Sequence, residues 1–334
     1  MRQTREVRLA RWPAGAPIAE DFEIADVALP ELGAGDVLVR NIWMSVDPYM
    51  RGRMYPDGAY NTPYQLGHVL DGGAIGEVLD SHSPALQPGD LVDNFLGWRE
   101  AFVAPASMLR KLPATSMAPQ SYLGAMGMPG LTAYGGLLEI GKPSAGETVF
   151  VSGAAGAVGS LVAQIAKNLG CTVIASVGTP EKADWLKARG VDHVINYKSV
   201  ADLPTALYQA APEGIDIYFD NVGGDHLEAA IHAAKRNARI CGCGMISQYG
   251  QLGVSAAPRN LFMLYSKTIR LEGFTVAQFL GPVRRAFLRD METWIAEGRI
   301  QYEETIVEGL DKAPAAFIAL FSGGNTGKML VKLA

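Results

Sequence analysis

The sequence predicts an α/β protein of two parts, a β-rich first domain followed by a domain built on a doubly wound parallel sheet. Three observations carry this. A glycine turn, Gly153-Ala-Ala-Gly-Ala-Val-Gly159, follows a buried strand pattern and opens a helical stretch almost halfway along the 334-residue chain. Beyond it, apolar strand-like runs alternate with helical stretches, the rhythm of a parallel sheet covered on both faces. Before residue ~120 no such rhythm occurs, only short strand-like runs punctuated by Gly and Pro.

A chain of 334 residues is long enough for two domains, each with its own core. Its 49% apolar and 19% charged residues are ordinary for a globular protein. A formal net charge of -5 gives no support for binding nucleic acid. The one basic cluster, Arg2, Arg5, Arg8 and Arg11, reads as a solvated terminal face. Cys171, Cys241 and Cys243 form no disulfide framework; they read as small buried apolar residues of a cytoplasmic protein. The N-terminus lacks the apolar run of a secretory signal. Leu112–Leu138 is uncharged, but Pro113, Pro119, Pro129 and several glycines break it, so it reads as a buried junction rather than a membrane span.

The first half offers one half-buried strand pattern, Asp36–Ser45, and turns such as Gln87-Pro-Gly-Asp. After Gly146 strands are predicted at Thr148–Ser152, Thr172–Val177, His193–Asn196, Asp216–Asn221, Arg239–Cys243 and Thr268–Phe274. Helices are predicted at Ala157–Leu169, Pro180–Arg189, Asp225–Lys235 and about Gln278–Glu297. The tail from Gln301 reads strand, helix, strand.

The glycine turn matches the dinucleotide fingerprint G-x-G-x-x-G imperfectly: Ala154 stands at the first glycine position, with Gly153 just before it. Gly156 permits close backbone approach to a pyrophosphate, and Gly159 close packing of helix on strand. An NAD site usually places Asp or Glu at the end of the second strand, where it accepts from the ribose 2′-hydroxyl. Here that strand ends in Ser176, and Lys182 follows in the first turn of the next helix. An ammonium there pairs with a 2′-phosphate, which favours NADPH. Glu181, which could approach the ribose, reads equally as a carboxylate complementing the helix dipole.

The first 170 residues contain no cysteine, and no C-x-x-C array supplies a zinc site. His68 reads as a loop histidine without partner ligands. There is no H-E-x-x-H, no G-x-S-x-G and no Y-x-x-x-K pair. What remains is tyrosine chemistry. Tyr249 closes the segment Cys243-Gly-Met-Ile-Ser-Gln-Tyr249, which follows the fifth strand and so belongs at the carboxyl end of the sheet. Tyr49 lies just after a strand of the first domain. A phenol can donate to a carbonyl oxygen as it gains enolate character, although each tyrosine also fits a core aromatic with a satisfied hydroxyl.

Six motifs carry a resemblance along the full length: Ser45-Val-Asp-Pro-Tyr-Met-Arg-Gly-Arg-Met54, Gly127-Met-Pro-Gly-Leu-Thr-Ala-Tyr134, Ala154–Ser160, Tyr218-Phe-Asp-Asn-Val-Gly-Gly224, Cys243–Tyr249 and Gly323-Gly-Asn-Thr-Gly-Lys328. With them the chain resembles the zinc-independent medium-chain dehydrogenase/reductases, in the group of prostaglandin reductase (leukotriene B4 12-hydroxydehydrogenase), alkenal double-bond reductases and curcumin reductase. The resemblance implies a GroES-like domain (1–122), a Rossmann NADP-binding domain (123–300) and a C-terminal return to the first domain (301–334). It implies that Gly156, Ala157, Val158 and Gly159 hold the pyrophosphate, and Lys182 and Tyr197 the 2′-phosphate end. Asn221, Cys243, Gly244, Met245, Ile246, Ser247, Gln248, Tyr249, Phe274, Thr275, Val276 and Asn325 would line the rest of NADP(H). Tyr249 would bridge the nicotinamide ribose and the substrate carbonyl, with Tyr49 bordering the substrate.

The implied activity is reduction of the α,β double bond of an enone or enal by hydride transfer to its β-carbon, without a metal. Quinone reduction is the alternative within enzymes, and a non-catalytic NADPH-binding partner or sensor the alternative outside them. The resemblance also implies a homodimer, with Thr268–Phe274 as a candidate edge. Two departures bear on substrate preference: the loop Gly67-His-Val-Leu-Asp-Gly-Gly73, and Gly250 where many relatives carry Asn. The loops Met54–Gln65 and Gly250–Asn260 are expected to set selectivity.

Overall fold

The computed structural model describes residues 3–57, 62–250 and 258–334, so parts of the two predicted selectivity loops lie outside the described residues. The chain divides into two compact units. One comprises Met1–Leu123, Glu304–Asn325 and Met329–Ala334, the other Gly124–Glu303 and Thr326–Lys328.

In the first unit, β1 (Gln3–Leu9) and β2 (Phe22–Ala28) form an antiparallel ribbon. They precede β3 (Asp36–Ser45), β4 (Ala74–Ser81), β5 (Leu91–Asn94), β6 (Ala101–Pro105) and β7 (Arg110–Lys111). The long central β3 pairs antiparallel with β4 and β6, as its alternating inward Val37, Val39 and outward Arg40 suggest. Trp98 is wholly buried, stacked on Phe22 and edge-on to Phe317 at 6.1 Å each.

The second unit carries β8 (Thr148–Val151), β9 (Thr172–Val177), β10 (His193–Asn196), β11 (Ile215–Asp220), β12 (Ala234–Gly242) and β13 (Arg270–Gly273). They form one parallel sheet in the order β10-β9-β8-β11-β12-β13. Its helices are α1 (Met128–Gly135), α2 (Gly159–Asn168), α3 (Pro180–Lys187), α4 (Leu203–Ala210), α5 (Gly224–Ala233), α6 (Phe262–Ser266) and α7 (Pro282–Ala296). The inner strands are buried on both faces, which is why Val149-Phe-Val151 and Val173-Ile-Ala175 are continuous apolar runs rather than alternating ones. Thr179 and Asp202 cap α3 and α4, accepting from the N–H of Lys182 and Thr205. Returning to the first unit, β14 (Glu304–Glu308), α8 (Ala313–Ala319) and β15 (Lys328–Lys332) give the predicted strand, helix and strand, and β15 pairs antiparallel with β3.

Most boundaries agree with the sequence reading to within one or two residues, and three differences have a local cause. The helix expected from about Gln278 starts at Pro282, because Gly281 at φ 90° and the proline ring force a fresh start after a short 3-10 turn at Val276–Phe279. Strand β12 begins at Ala234, ahead of the expected Arg239; its pairing with β11 slips between Ile215 and Ile217, and Asn237 sits at φ 64°. Thr268 falls outside β13, since its φ of 52° is incompatible with an extended strand. Among the described residues no helix is long and apolar enough to cross a membrane.

Candidate active site

The strand order reverses its direction of winding at β8, which has β9 on one side and β11 on the other. In such sheets the ligand crevice lies outside the carboxyl ends of the strands flanking the reversal. Gly153–Gly159 leads from β8 into α2 at that point. Gly153, at φ 58°, takes the left-handed turn, which explains how Ala154 is tolerated one position later. A Cβ on Gly159 would lie 2.5 Å from the Gly153 carbonyl oxygen and 2.8 Å from the Ala154 Cα, so only glycine lets the helix sit this close to the turn. The α2 N-terminus has no side-chain cap, in contrast to α3 and α4. Within its first turn Ser160 N–H donates to the Gly156 carbonyl at 3.0 Å and Leu161 N–H to that of Val158 at 3.1 Å, so what the helix start offers an anion is chiefly the positive end of its dipole.

At the carboxyl ends of β9 and β10, Tyr197 and Lys198 come together around Gly178. A Cβ on Gly178 would lie 3.1 Å from the Tyr197 hydroxyl and 3.3 Å from Cε of Lys198. Burial, and after it the Lys198 charge, depresses the Lys182 pKa. A second ammonium, that of Lys198, thus acts on Lys182, and two cationic side chains near one strand end suit a dianion. Lys198 was missed by the sequence reading; the available signal was a second lysine directly after Tyr197 at a strand end. Ser176 Oγ, at the end of β9, is buried with no hydrogen-bond partner among the described residues.

Behind Tyr197 stands His226 of α5, with ring centroids 4.9 Å apart and an edge-on angle of 79°. Burial lowers the His226 pKa from 6.5 to about 4, so the imidazole is neutral in the native state. The unfolded chain therefore binds more protons between those values, and stability falls as pH drops through that window, by about 3 kcal/mol in all. His226→Leu should flatten this acid limb in urea melts between pH 4 and 7. An unchanged slope would remove His226 as its origin.

Asn221 follows β11, its Nδ2 donating to the Ser152 carbonyl at 2.8 Å. The segment Cys243–Tyr249 hangs on the turn after β11. Cys243 and Gly244 N–H both donate to the Asp220 carbonyl at 3.0 Å, Ile246 N–H to that of Asn221 at 3.2 Å, and Ser247 Oγ to that of Val222 at 2.6 Å. A 3-10 turn at Ile246–Gln248 then brings the Tyr249 phenol back over Gly244, where a Cβ would lie 2.9 Å from its hydroxyl. Met245 packs on Gly223 in the same turn. Burial pushes the Cys243 thiol up to about 12, which leaves it protonated and unreactive.

Phe274–Val276 follows β13. The Phe274 ring is buried against Phe219 and Phe279, so its side chain belongs to the core and only its backbone stands at the strand end. Tyr49 and Asn325 belong to the first unit. The Tyr49 hydroxyl is buried with no hydrogen-bond partner among the described residues, and burial together with Asp47 holds it firmly as the neutral phenol. Among the described residues no group of three or more His, Cys, Asp or Glu side chains is arranged to hold a metal ion.

A parallel sheet with a tight glycine turn into a helix at its reversal defines a dinucleotide-binding fold. Residues 5–112 match the N-terminal domain of oxidoreductase family, and residues 157–294 the zinc-binding dehydrogenase family. The chain is 43% identical to the NADP(+)-dependent 2-alkenal reductase of Nicotiana tabacum, over 99% of this chain and 97% of that one. It is 43% identical to prostaglandin reductase 1 of Bos taurus, over 95% of each. The solved structure of CurA from Vibrio vulnificus in complex with NADPH superposes with a TM-score of 0.94 at 39% identity, covering 99% of both chains. The chain belongs to the zinc-independent medium-chain dehydrogenase/reductases, in the group of prostaglandin, alkenal and curcumin reductases.

Proposed function

We propose that this protein is an NADPH-dependent reductase of the α,β carbon–carbon double bond of enones and enals. The observation that carries the proposal is the Cys243–Tyr249 segment, which is tied by four backbone N–H groups and the Ser247 hydroxyl to the turn after β11 and carries a tyrosine phenol at the carboxyl end of the sheet. Relatives of nearly the same length that are named for alkenals and prostaglandins support the substrate class.

When bound, NADPH would supply the hydride received by the β-carbon, and the α-carbon would take its proton from solvent. The chain's own residues bind and orient. The backbone of Gly156–Gly159 holds the pyrophosphate, and Lys182, Lys198 and Tyr197 hold the 2′-phosphate by charge-assisted hydrogen bonds. Asn221, the Cys243–Tyr249 segment, the Phe274–Val276 backbone and Asn325 line the remainder. The Tyr249 hydroxyl donates to the substrate carbonyl oxygen and stabilises the negative charge that develops there. Tyr49, whose hydroxyl has no hydrogen-bond partner among the described residues, contacts the substrate. In this reading the two units are the substrate domain and the NADP-binding domain, and the protein is a cytoplasmic homodimer that needs neither nucleic acid nor a membrane. The outer strand β13, with Leu271 exposed on it and Phe262 and Tyr265 exposed on the preceding α6, supports self-association, which a monomeric mass in solution would refute.

The test follows oxidation of NADPH and, in parallel, NADH across a series of enones, enals and simple quinones. Enones and enals with NADPH should give the highest kcat/KM. Lys182→Ala should raise KM for NADPH about 10- to 100-fold while leaving NADH nearly unaffected. Preference for quinones would move the assignment to quinone reduction, binding without turnover would move it to a sensor, and equal use of NADH would sink the role of Lys182.

A further inference from the structure

At the strand reversal, the ends of β8 and β11 are cross-linked by a buried polar cluster that none of the proposed ligand contacts uses. Asp220, the last residue of β11, is 2% exposed. Its carboxylate accepts from the Tyr218 hydroxyl at 2.7 Å, from Gly223 N–H at 2.8 Å, from Val222 N–H at 3.0 Å and from Ser152 Oγ at 3.3 Å. Ser152 Oγ, at the end of β8, lies 2.9 Å from the Tyr218 hydroxyl and accepts from Asn221 N–H at 3.0 Å.

This cluster answers a local need. The turn Asn221–Gly224 places Gly223 at φ 72° and Gly224 at φ 53°, so its N–H groups find no strand or helix partner and turn inward. One side chain satisfies two of them. The same turn supplies the carbonyls of Asn221 and Val222 to Ile246 and Ser247, while the Asp220 carbonyl itself takes Cys243 and Gly244. Tyr249 is thus suspended from a turn whose shape one buried carboxylate sets.

We propose that Asp220, braced by Tyr218 and Ser152, is a positioning residue for the reduction: it fixes the turn that places Asn221 and, through the Cys243–Ser247 strap, Tyr249. This inference rests on the reading of the protein as an NADPH-dependent double-bond reductase. Asp220, 2% exposed, is not among the residues assigned to cofactor or substrate. Its removal should therefore lower the rate of hydride transfer more than it weakens binding.

The experiment compares wild type, Asp220→Asn, Asp220→Ala and Tyr218→Phe. It measures Tm, NADPH Kd by fluorescence, kcat, and the deuterium isotope effect with NADPH labelled at the transferred position. Asp220→Ala should lower kcat about 10- to 100-fold, the loss expected of a displacement near one ångström at the reacting groups, and raise the isotope effect as hydride transfer becomes limiting. Asp220→Asn keeps an oxygen acceptor for Val222 and Gly223 and should restore most of the rate. Should Asp220→Ala fail to fold, Tyr218→Phe decides, with an expected fall in kcat of about 3- to 10-fold at a Kd within a factor of two. Variants that melt earlier but keep kcat and isotope effect would reduce the cluster to a structural role and overturn the proposal. A wild-type protein that binds no NADPH would instead overturn the functional reading itself.

Discussion

Replacing Tyr249 with phenylalanine should lower kcat/KM for an enone by about 10²- to 10³-fold, while NADPH Kd and Tm stay close to wild type. The phenol is a donor at the end of a strap held by five hydrogen bonds. A donor aimed at an oxygen that gains charge in the transition state contributes far more there than in the ground state. Its loss should therefore appear mainly in kcat. Phenylalanine preserves the ring that packs over Gly244, so the strap itself should keep its course. Full activity of Tyr249→Phe on a good enone would show that the carbonyl is polarised by another group. A drop in Tm of many degrees would show that the hydroxyl is structural.

The contrast between strands and strap explains what the sequence disclosed. Thr172–Val177 emerges at the residues its apolar run indicates, because burial on both faces leaves a continuous signature, and the edge strand His193–Asn196, with only Ile195 buried, also keeps its expected bounds. Helix α4 carries its own markers, the cap Asp202 and Pro204 in its first turn, yet its apolar face is too short to give a helical period in the sequence. The early start of β12 was hidden because Lys235-Arg236-Asn237 continues the polar pattern of a helix end, and only pairing with Ile215 makes Ala234 a strand residue. The Asp220 cluster was illegible for a different reason. Ser152 and Tyr218 are 66 positions apart and meet only because β8 and β11 are neighbours across the reversal. Lys198 likewise acquires meaning only once β9 and β10 bring it to Gly178.

The two glycines of the phosphate turn should separate under substitution, and the separation tests how the fingerprint works in this chain. Gly159→Ala places a methyl 2.5 Å from the Gly153 carbonyl oxygen and 3.0 Å from its carbonyl carbon, where ordinary contact begins at 3.4 Å. The obstacle is backbone, which cannot swing aside as a side chain would. The turn is also tied on its other side, where Gly327 N–H donates to the Ala155 carbonyl at 2.7 Å. Either α2 lifts from β8 or the turn unwinds, at a cost of about 1–3 kcal/mol that outweighs the helix propensity gained by alanine. Tm should fall by roughly 2–4 °C per kcal/mol, and NADPH affinity by at least about 10-fold because the helix start no longer meets the pyrophosphate. At Gly156 a Cβ meets only the Gly153 carbonyl oxygen, at 3.3 Å, a contact that a shift of about a tenth of an ångström relieves. Gly156→Ala should therefore melt near wild type and lose affinity alone, through the methyl standing where the pyrophosphate approaches the backbone. Calorimetric melts with NADPH titrations on both variants decide the matter. Equal Tm losses would show that the two glycines share one packing role, and unchanged affinity in Gly156→Ala would move the pyrophosphate away from this turn.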